Sequence, residues 1–407
     1  MIPHAQILLA LLLAASPAES ASPAGSPARP AIEFINTAFE NASPLAWEVD
    51  ADGTVHVYLL YDYERSSPNR AAGHWHFQVQ AAKGSDLTFM LHNFDNVWNG
   101  KKGSPVSDKT ITYLSHDGRK WTAIPTEKLE GNLIRFRVHM DADSLYVARL
   151  EPYRLSDLER LLSEIRNNPL VEVTPIGRTV EGRPLEIIRV GRPDAPHRVL
   201  VRARAHAWEP GGNWVVEGLV RGLLADDAEN RRYLGSYCIY VMPMANKDGV
   251  ARGWTRFNVA GKDLNRNWDR PADPQFAPEN RALEAWIESM AAKGKRIELA
   301  IDLHNDENGK LNVSRPAVDL ERHLARMQQL ETLLRKHTWF TEGSTGESFR
   351  NPGSLGEGLL ERYGIDACVL ELNCNWIAGL KQHPSGEAWM KLGRDLREVF
   401  FGYFQSP

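Results

Sequence analysis

His206 and Glu209 stand three residues apart in Arg204-Ala205-His206-Ala207-Trp208-Glu209, directly after an apolar, strand-like segment. His304 closes a second apolar run, Ile297 to Leu303. Two histidines and a carboxylate are the kind of set from which catalytic zinc sites are built, with three protein donors and a fourth position left for water. Such an ion acidifies the water and polarises the carbonyl under attack. Glu371 is an isolated acid in the otherwise apolar Cys368-Val369-Leu370-Glu371-Leu372, and a buried charge needs a reason. Beside a metal it could take the water's proton and pass it to a leaving amine. Between the ligands lies Lys262-Asp263-Leu264-Asn265-Arg266-Asn267-Trp268. There Asn265 and Arg266 could hold an anion, the planar arginine fork suiting a carboxylate.

Each signal has an ordinary explanation when taken alone. His-x-x-Glu is a common surface or core pairing, and a histidine after a strand is often simply a satisfied buried side chain. Asn-Arg pairs belong to loops and helix caps, and Glu371 could be half of a buried ion pair. Together, in this order and at strand ends, they describe a hydrolytic site with one zinc ion, because open α/β sheets bind ligands at the carboxyl ends of their strands.

The elements that must position these residues fall into two stretches. From 31 to 150 there are short alternating runs: Val55 to Tyr61, His74 to Val79, Leu87 to Leu91 and Ile134 to Val138. Period-two alternation broken by turn residues predicts an antiparallel β-sandwich, and Ser115 to Trp121 reads as a strand entering an Asp-Gly turn. From 151 to 407 strands and helices alternate. Strands are expected at Leu185–Val190, Val199–Arg202, Cys238–Met242, Ile297–Leu303 and Asp366–Leu372. Helices are expected at Leu158–Ile165, Asn213–Ala225, Pro278–Ala292, Leu320–His337 and Glu387–Phe404. This predicts an α/β/α domain with a mixed sheet covered on both faces. Gly211-Gly212 reads as a tight turn past Glu209, and Asn246 to Gly249 as a turn after a strand. His74 and His76 flank Trp75 on one expected strand face, with no third ligand evident.

These segments resemble the zinc carboxypeptidases of the carboxypeptidase A type, and more closely the branch that includes the cytosolic carboxypeptidases. The resemblance is carried by Arg204 to Glu209, Val241 to Val250, Gly261 to Trp268, Asp302-Leu303-His304 and Leu370-Glu371. It implies that His206, Glu209 and His304 bind zinc and that Glu371 is the general base. It also implies that Asn265 and Arg266 hold the terminal carboxylate of a peptide substrate. Arg256, nine residues before Asn265, corresponds to the arginine that steadies the oxyanion, and Asp263 to the acid that orients the first zinc histidine. A β-sandwich before the catalytic domain also belongs to that branch. Two departures stand out. Digestive members carry arginine where this chain has Trp208, and their substrate-capping tyrosine has no counterpart in Glu347 to Asn351; Tyr363, the nearest, lies in a helix-like segment. Related substrates remain open: cell-wall stem peptides, which also end in carboxylates, and acyl-amino acids, which a related zinc amidohydrolase class cleaves. An inactive binding protein is the reading from another class.

Residues 1–20 read as a signal peptide, since Ile7 to Ala15 is too short an apolar run to span a bilayer and Ala18 and Ser20 fit a cleavage site. Residues 21–30 form a Pro/Ala/Ser-rich lead-in. An exported protein, periplasmic or secreted, is therefore expected. With 48 Lys and Arg against 52 Asp and Glu, a net charge of −4 and no basic block, nothing favours nucleic acid or stable membrane insertion as partner. Cys238, Cys368 and Cys374 are too few and too scattered for a zinc-cysteine cluster, and the odd number leaves at least one free thiol.

Overall fold

The computed structural model describes residues 32–315, 319–346 and 353–405. The expected signal peptide and lead-in lie outside those residues, as does the stretch 347–351 considered for a capping tyrosine.

Strands between Ile32 and Ala148 form two five-stranded sheets whose inner faces share one core. Alternation builds it: Val55, Val57 and Leu59 point inward while His56 and Tyr58 stay partly exposed. Phe89 and Phe136, opposite each other on paired strands, stack at 5.3 Å. The pairing is antiparallel with one exception, because Val55–Leu59 runs parallel to Asp86–His92. The Asp-Gly turn is present. Gly118 takes φ +66°, Asp117 Oδ1 accepts the N–H groups of Arg119 and Lys120, and the flanking strands Ile111–Ser115 and Thr122–Pro125 pair antiparallel. The expected strand from His74 begins at His76 instead. Both histidines are committed to Asn41, His74 Nε2 to its carbonyl and His76 Nδ1 to its Oδ1.

A smaller four-stranded sheet was not expected. It joins Asp62–Tyr63, Arg70–Ala71, Asn96–Trp98 and Lys101–Gly103. Its last two strands are linked by Asn99-Gly100, both at positive φ, the geometry of a two-residue hairpin loop.

The remainder is built on a seven-stranded mixed sheet in the order Val171–Arg178, Pro184–Val190, Tyr237–Met242, His197–Ala203, Leu299–Asp306, Asp366–Asn373, Lys310–Val313. The central four are parallel and the flanking pairs antiparallel. Both faces are covered, as the continuous apolar strands require. Val199 and Val201 share a core with helices Gly211–Leu224, Leu320–His337 and Gly386–Gln405. Leu200, facing the other way, packs with Leu283 and Ile287 of Pro278–Ala292 and Leu359 of Leu355–Tyr363.

Two turns expected from sequence are helical. Gly211 and Gly212 form the first turn of Gly211–Leu224. Their small size serves close approach, since a Cβ on Gly211 would lie 2.7 Å from the Asn305 amide. Asn246 caps a short helix, Lys247–Ala251, by accepting from Gly249 N at 3.0 Å, a use of Asn that favours a helix start as readily as a turn.

Candidate metal centre and active site

The strand His197–Ala203 hands the chain to Arg204, whose φ of +63° turns it sharply into the His206 loop. The loop is held by main-chain bonds from Ala245 N to Ala203 O and from Asn246 N to Arg204 O, 3.0 and 2.9 Å. It ends on helix Gly211–Leu224, whose first N–H donates to Asn305 Oδ1 at 2.9 Å. His304, on Leu299–Asp306, stands one strand away, and Glu371 is its register partner on Asp366–Asn373.

His206, Glu209 and His304 are buried, with one potential ligand atom from each within 4.8 Å of the others. Glu209 Oε1 lies 2.8 Å from His206 Nδ1 and Oε2 lies 2.8 Å from His304 Nδ1, while the two Nδ1 atoms are 3.2 Å apart. Each outer ring nitrogen meets a carboxylate: His206 Nε2 with Asp263 Oδ1 at 3.0 Å and His304 Nε2 with Asp302 Oδ2 at 2.8 Å. A carboxylate only accepts, so both Nε2 atoms carry hydrogen. In the neutral rings that leaves two Nδ1 lone pairs and a carboxylate crowded together. A cation among them removes the conflict, and carboxylate–histidine pairs are the usual support of zinc ligands. The spacings approach the corner-to-corner distance of a tetrahedral site, about 3.3 Å for donors about 2.0–2.1 Å from zinc. Glu209 Oε2 also lacks a partner with hydrogen-bond geometry. The donor set therefore fits zinc. Without the ion, burial would raise the Glu209 carboxyl, but the charges of His206 and His304 hold it well below its usual range.

Asp302 was missed in sequence. It lies two residues before His304 on the same strand face, a period-two relationship that was available. It also bonds the buried Arg202 guanidinium at 3.2 Å.

Asp263 has two duties. Oδ1 faces His206, and Oδ2 accepts from Arg256 Nε and Nη2 at 2.8 and 2.7 Å. Burial opposes the charge, yet Arg256 and His206 keep this carboxyl far below its ordinary value.

His206, Glu209, Arg256, Asn265, Arg266 and Glu371 line one cavity of about 320 Å³. Asn265 is fixed by accepting Leu355 N on Oδ1 at 2.9 Å, and Arg266 Nη1 donates to the Asn265 carbonyl at 2.8 Å. Glu371 is the one position of its strand not fully buried. It borders the cavity, and burial pushes its carboxyl up to about 8; Glu209 and Asp306 add to the rise, while His304 and Arg256 oppose it.

The cavity wall includes groups from before residue 150. Asn96, Trp98, Ser104 and Pro105 come from the small sheet and its exit. Arg149 lines it as well, its guanidinium 5.9 Å from the Trp208 ring centre. Where digestive relatives place an arginine at position 208, this chain has tryptophan with a guanidinium brought against it from elsewhere. Cys374 also lines the cavity, and all three cysteines are buried and free. Tyr363 closes its helix with its hydroxyl on Glu288 and does not line the cavity.

Residues 158–311 match the family described as zinc carboxypeptidase. That stretch is similar to the zinc carboxypeptidase family. The matched stretch holds every candidate site residue except Glu371, which lies beyond it. Cytosolic carboxypeptidase 2 of Danio rerio is 31% identical over 200 residues, 46% of this chain and 27% of that protein. The chain thus spans about a quarter of that relative's length. A metallo-carboxypeptidase structure from Burkholderia cenocepacia superposes with TM-score 0.81 at 22% identity, covering 91% of this chain and 98% of that one. A Pseudomonas aeruginosa metallo-carboxypeptidase, solved with (2-guanidinoethylmercapto)succinic acid, gives 0.75 at 23%, covering 90% and 98%. The carboxypeptidase fold, N-terminal strands included, is shared along nearly the whole length of these structures.

Proposed function

We propose that this protein is a zinc-dependent metallocarboxypeptidase that hydrolyses the last peptide bond of peptides with a free C-terminal carboxylate. The supporting observation is a cluster of three buried metal donors, two of which, His206 and Glu209, line one cavity together with a buried glutamate and an Asn-Arg pair. Zinc held by His206, Glu209 and His304 supplies an acidified water and a Lewis acid for the scissile carbonyl. Arg266 and Asn265 take the substrate's terminal carboxylate, which restricts cleavage to the chain end. Glu371 accepts the water's proton and delivers it to the departing amine. Arg256, anchored by Asp263, faces the oxyanion, and Asp263 and Asp302 orient the two histidines.

We further propose export to the periplasm or medium, supported by the apolar segment and small residues within 1–20; N-terminal sequencing of the mature protein tests it. The activity is tested by peptides with free and amidated termini, with and without chelator. Chelator-sensitive release of single C-terminal residues, lost on amidation, is expected. Release from amidated peptides would remove the role of Arg266, and absence of bound zinc would overturn the enzyme reading. Bound zinc with no peptide cleaved would shift the substrate to stem peptides or acyl-amino acids.

A further inference from the structure

The segment carrying Arg256 is not held by the catalytic half alone. Asp62, on the two-residue strand Asp62–Tyr63 of the small sheet, is buried, and its Oδ2 accepts the backbone N–H groups of both Arg256 and Phe257 at 2.7 Å. Its other oxygen has no partner. A buried carboxylate is costly unless its hydrogen bonds compensate, and two charge-assisted bonds to consecutive main-chain donors are strong compensation.

The neighbouring groups complete a clamp. Thr255 Oγ1 accepts from Gly73 N and His74 N at 3.1 and 3.3 Å. Asn246 Nδ2 donates to the carbonyls of Arg256 and Phe257 at 3.3 and 3.1 Å. The Thr255 carbonyl accepts from Trp208 N, inside the metal-ligand loop, at 3.0 Å. Both N–H groups of the Arg256–Phe257 main chain are therefore held from the N-terminal sheet, and both carbonyls from the catalytic half. The Arg256 guanidinium, already engaged by Asp263, has its reach into the cavity set by where this main chain lies.

We propose that Asp62 is a positioning residue of the active site, fixing the Arg256–Phe257 main chain so that the Arg256 guanidinium meets the oxyanion. The N-terminal region then supplies catalytic geometry across a separation of 194 residues, not merely support. This rests on the reading of Arg256 as the oxyanion-facing group.

The test compares Asp62→Ala, Asp62→Asn, Arg256→Ala and Asn41→Ala in the full-length zinc-loaded protein. Asn41 provides a control tie between the same regions, its Nδ2 donating to Val250 O at 3.0 Å away from the cavity. A misplacement of about 1 Å costs about 100-fold in rate. Asp62→Ala is therefore expected to lower kcat by about 10–100-fold with KM within about threefold, and Asp62→Asn by less. Zinc content stays unchanged, and hydrogen exchange across residues 254–258 accelerates. Asn41→Ala should lower Tm and spare kcat. If both Asp62 variants lower Tm but leave kcat within about threefold while Arg256→Ala is impaired, Asp62 is only a weld and the inference fails alone. If Arg256→Ala keeps kcat, the oxyanion assignment fails and takes the inference with it. Asp62→Asn preserves side-chain shape, so it decides the matter if the alanine variant does not fold.

Discussion

His304 and Glu371 are register partners on adjacent parallel strands, Leu299–Asp306 and Asp366–Asn373. Paired positions in a ladder send their side chains to the same face. A candidate metal ligand and the candidate base are thus set side by side by main-chain hydrogen bonding, without dependence on a loop. His206 and Glu209 come from a loop, but one tied to the sheet at Ala203 and Arg204.

Glu371→Gln keeps the shape of the side chain and removes its basicity. Turnover should fall by about 10²–10⁴-fold while metal analysis still finds zinc bound. Steady-state kinetics showing activity within about tenfold of the parent would sink the assignment of Glu371 as base.

The pH profile should carry the same signature. Burial raises the Glu371 carboxyl from 4.5 to about 8, and only the ionised form can accept a proton. Activity therefore rises with pH as that proton leaves. A bound divalent cation favours the carboxylate, so the acid limb of kcat/KM is expected between 4.5 and 8. The residual activity of Glu371→Gln should lack that limb; an unchanged limb would assign it to another group.

Asp302→Asn replaces the acceptor that holds His304 Nε2–H and weakens the ligand's orientation and basicity. Zinc affinity should drop by about 10–100-fold, measured by competition with a chromophoric chelator. Unaltered affinity would reduce Asp302 to a partner of Arg202.

Arg266→Ala removes a charge-assisted contact worth about 1.5–3 kcal/mol. The kcat/KM for peptides with a free C-terminus should fall by about 10–100-fold, with almost no change for amidated ones. Equal losses on both would show that Arg266 does not read the carboxylate.

Stability has its own pH test at Glu279, buried at the start of helix Pro278–Ala292. Burial lifts its carboxyl from 4.5 to about 7, against hydrogen bonds from its own backbone, Asn258 and Val180. The folded protein then binds a proton that the unfolded chain has lost, so this group's stabilising contribution falls as pH rises from 4.5 to 7. Glu279→Gln should flatten that slope, by up to about 3 kcal/mol, in urea unfolding at the two ends of the window. An unchanged slope would place the titration elsewhere.

The candidate site was legible because His206, His304 and Glu371 each adjoin a long apolar strand, which sequence shows well. Helices Pro278–Ala292 and Leu320–His337 were expected with the bounds they have, since a proline start and a steady apolar period leave little freedom. The parallel partner of Val55–Leu59 was hidden because alternation reports which face a residue takes, not which way its neighbour runs. Asp62–Tyr63 and Arg70–Ala71 are too short for any period, so nothing in the sequence singles out Asp62. The Asn99-Gly100 hairpin was different. Its dipeptide is a strong turn signal and would have pointed to the strand holding Trp98 in the cavity wall.

The strand bearing Glu371 is the last of its sheet to leave the ribosome, and it slots between two strands made earlier, Leu299–Asp306 and Lys310–Val313. A nascent chain ending before it therefore carries all three candidate metal donors and lacks the candidate base. On the proposed reading, a product truncated ahead of this strand has the zinc donors in its sequence but not the group that would take the water's proton.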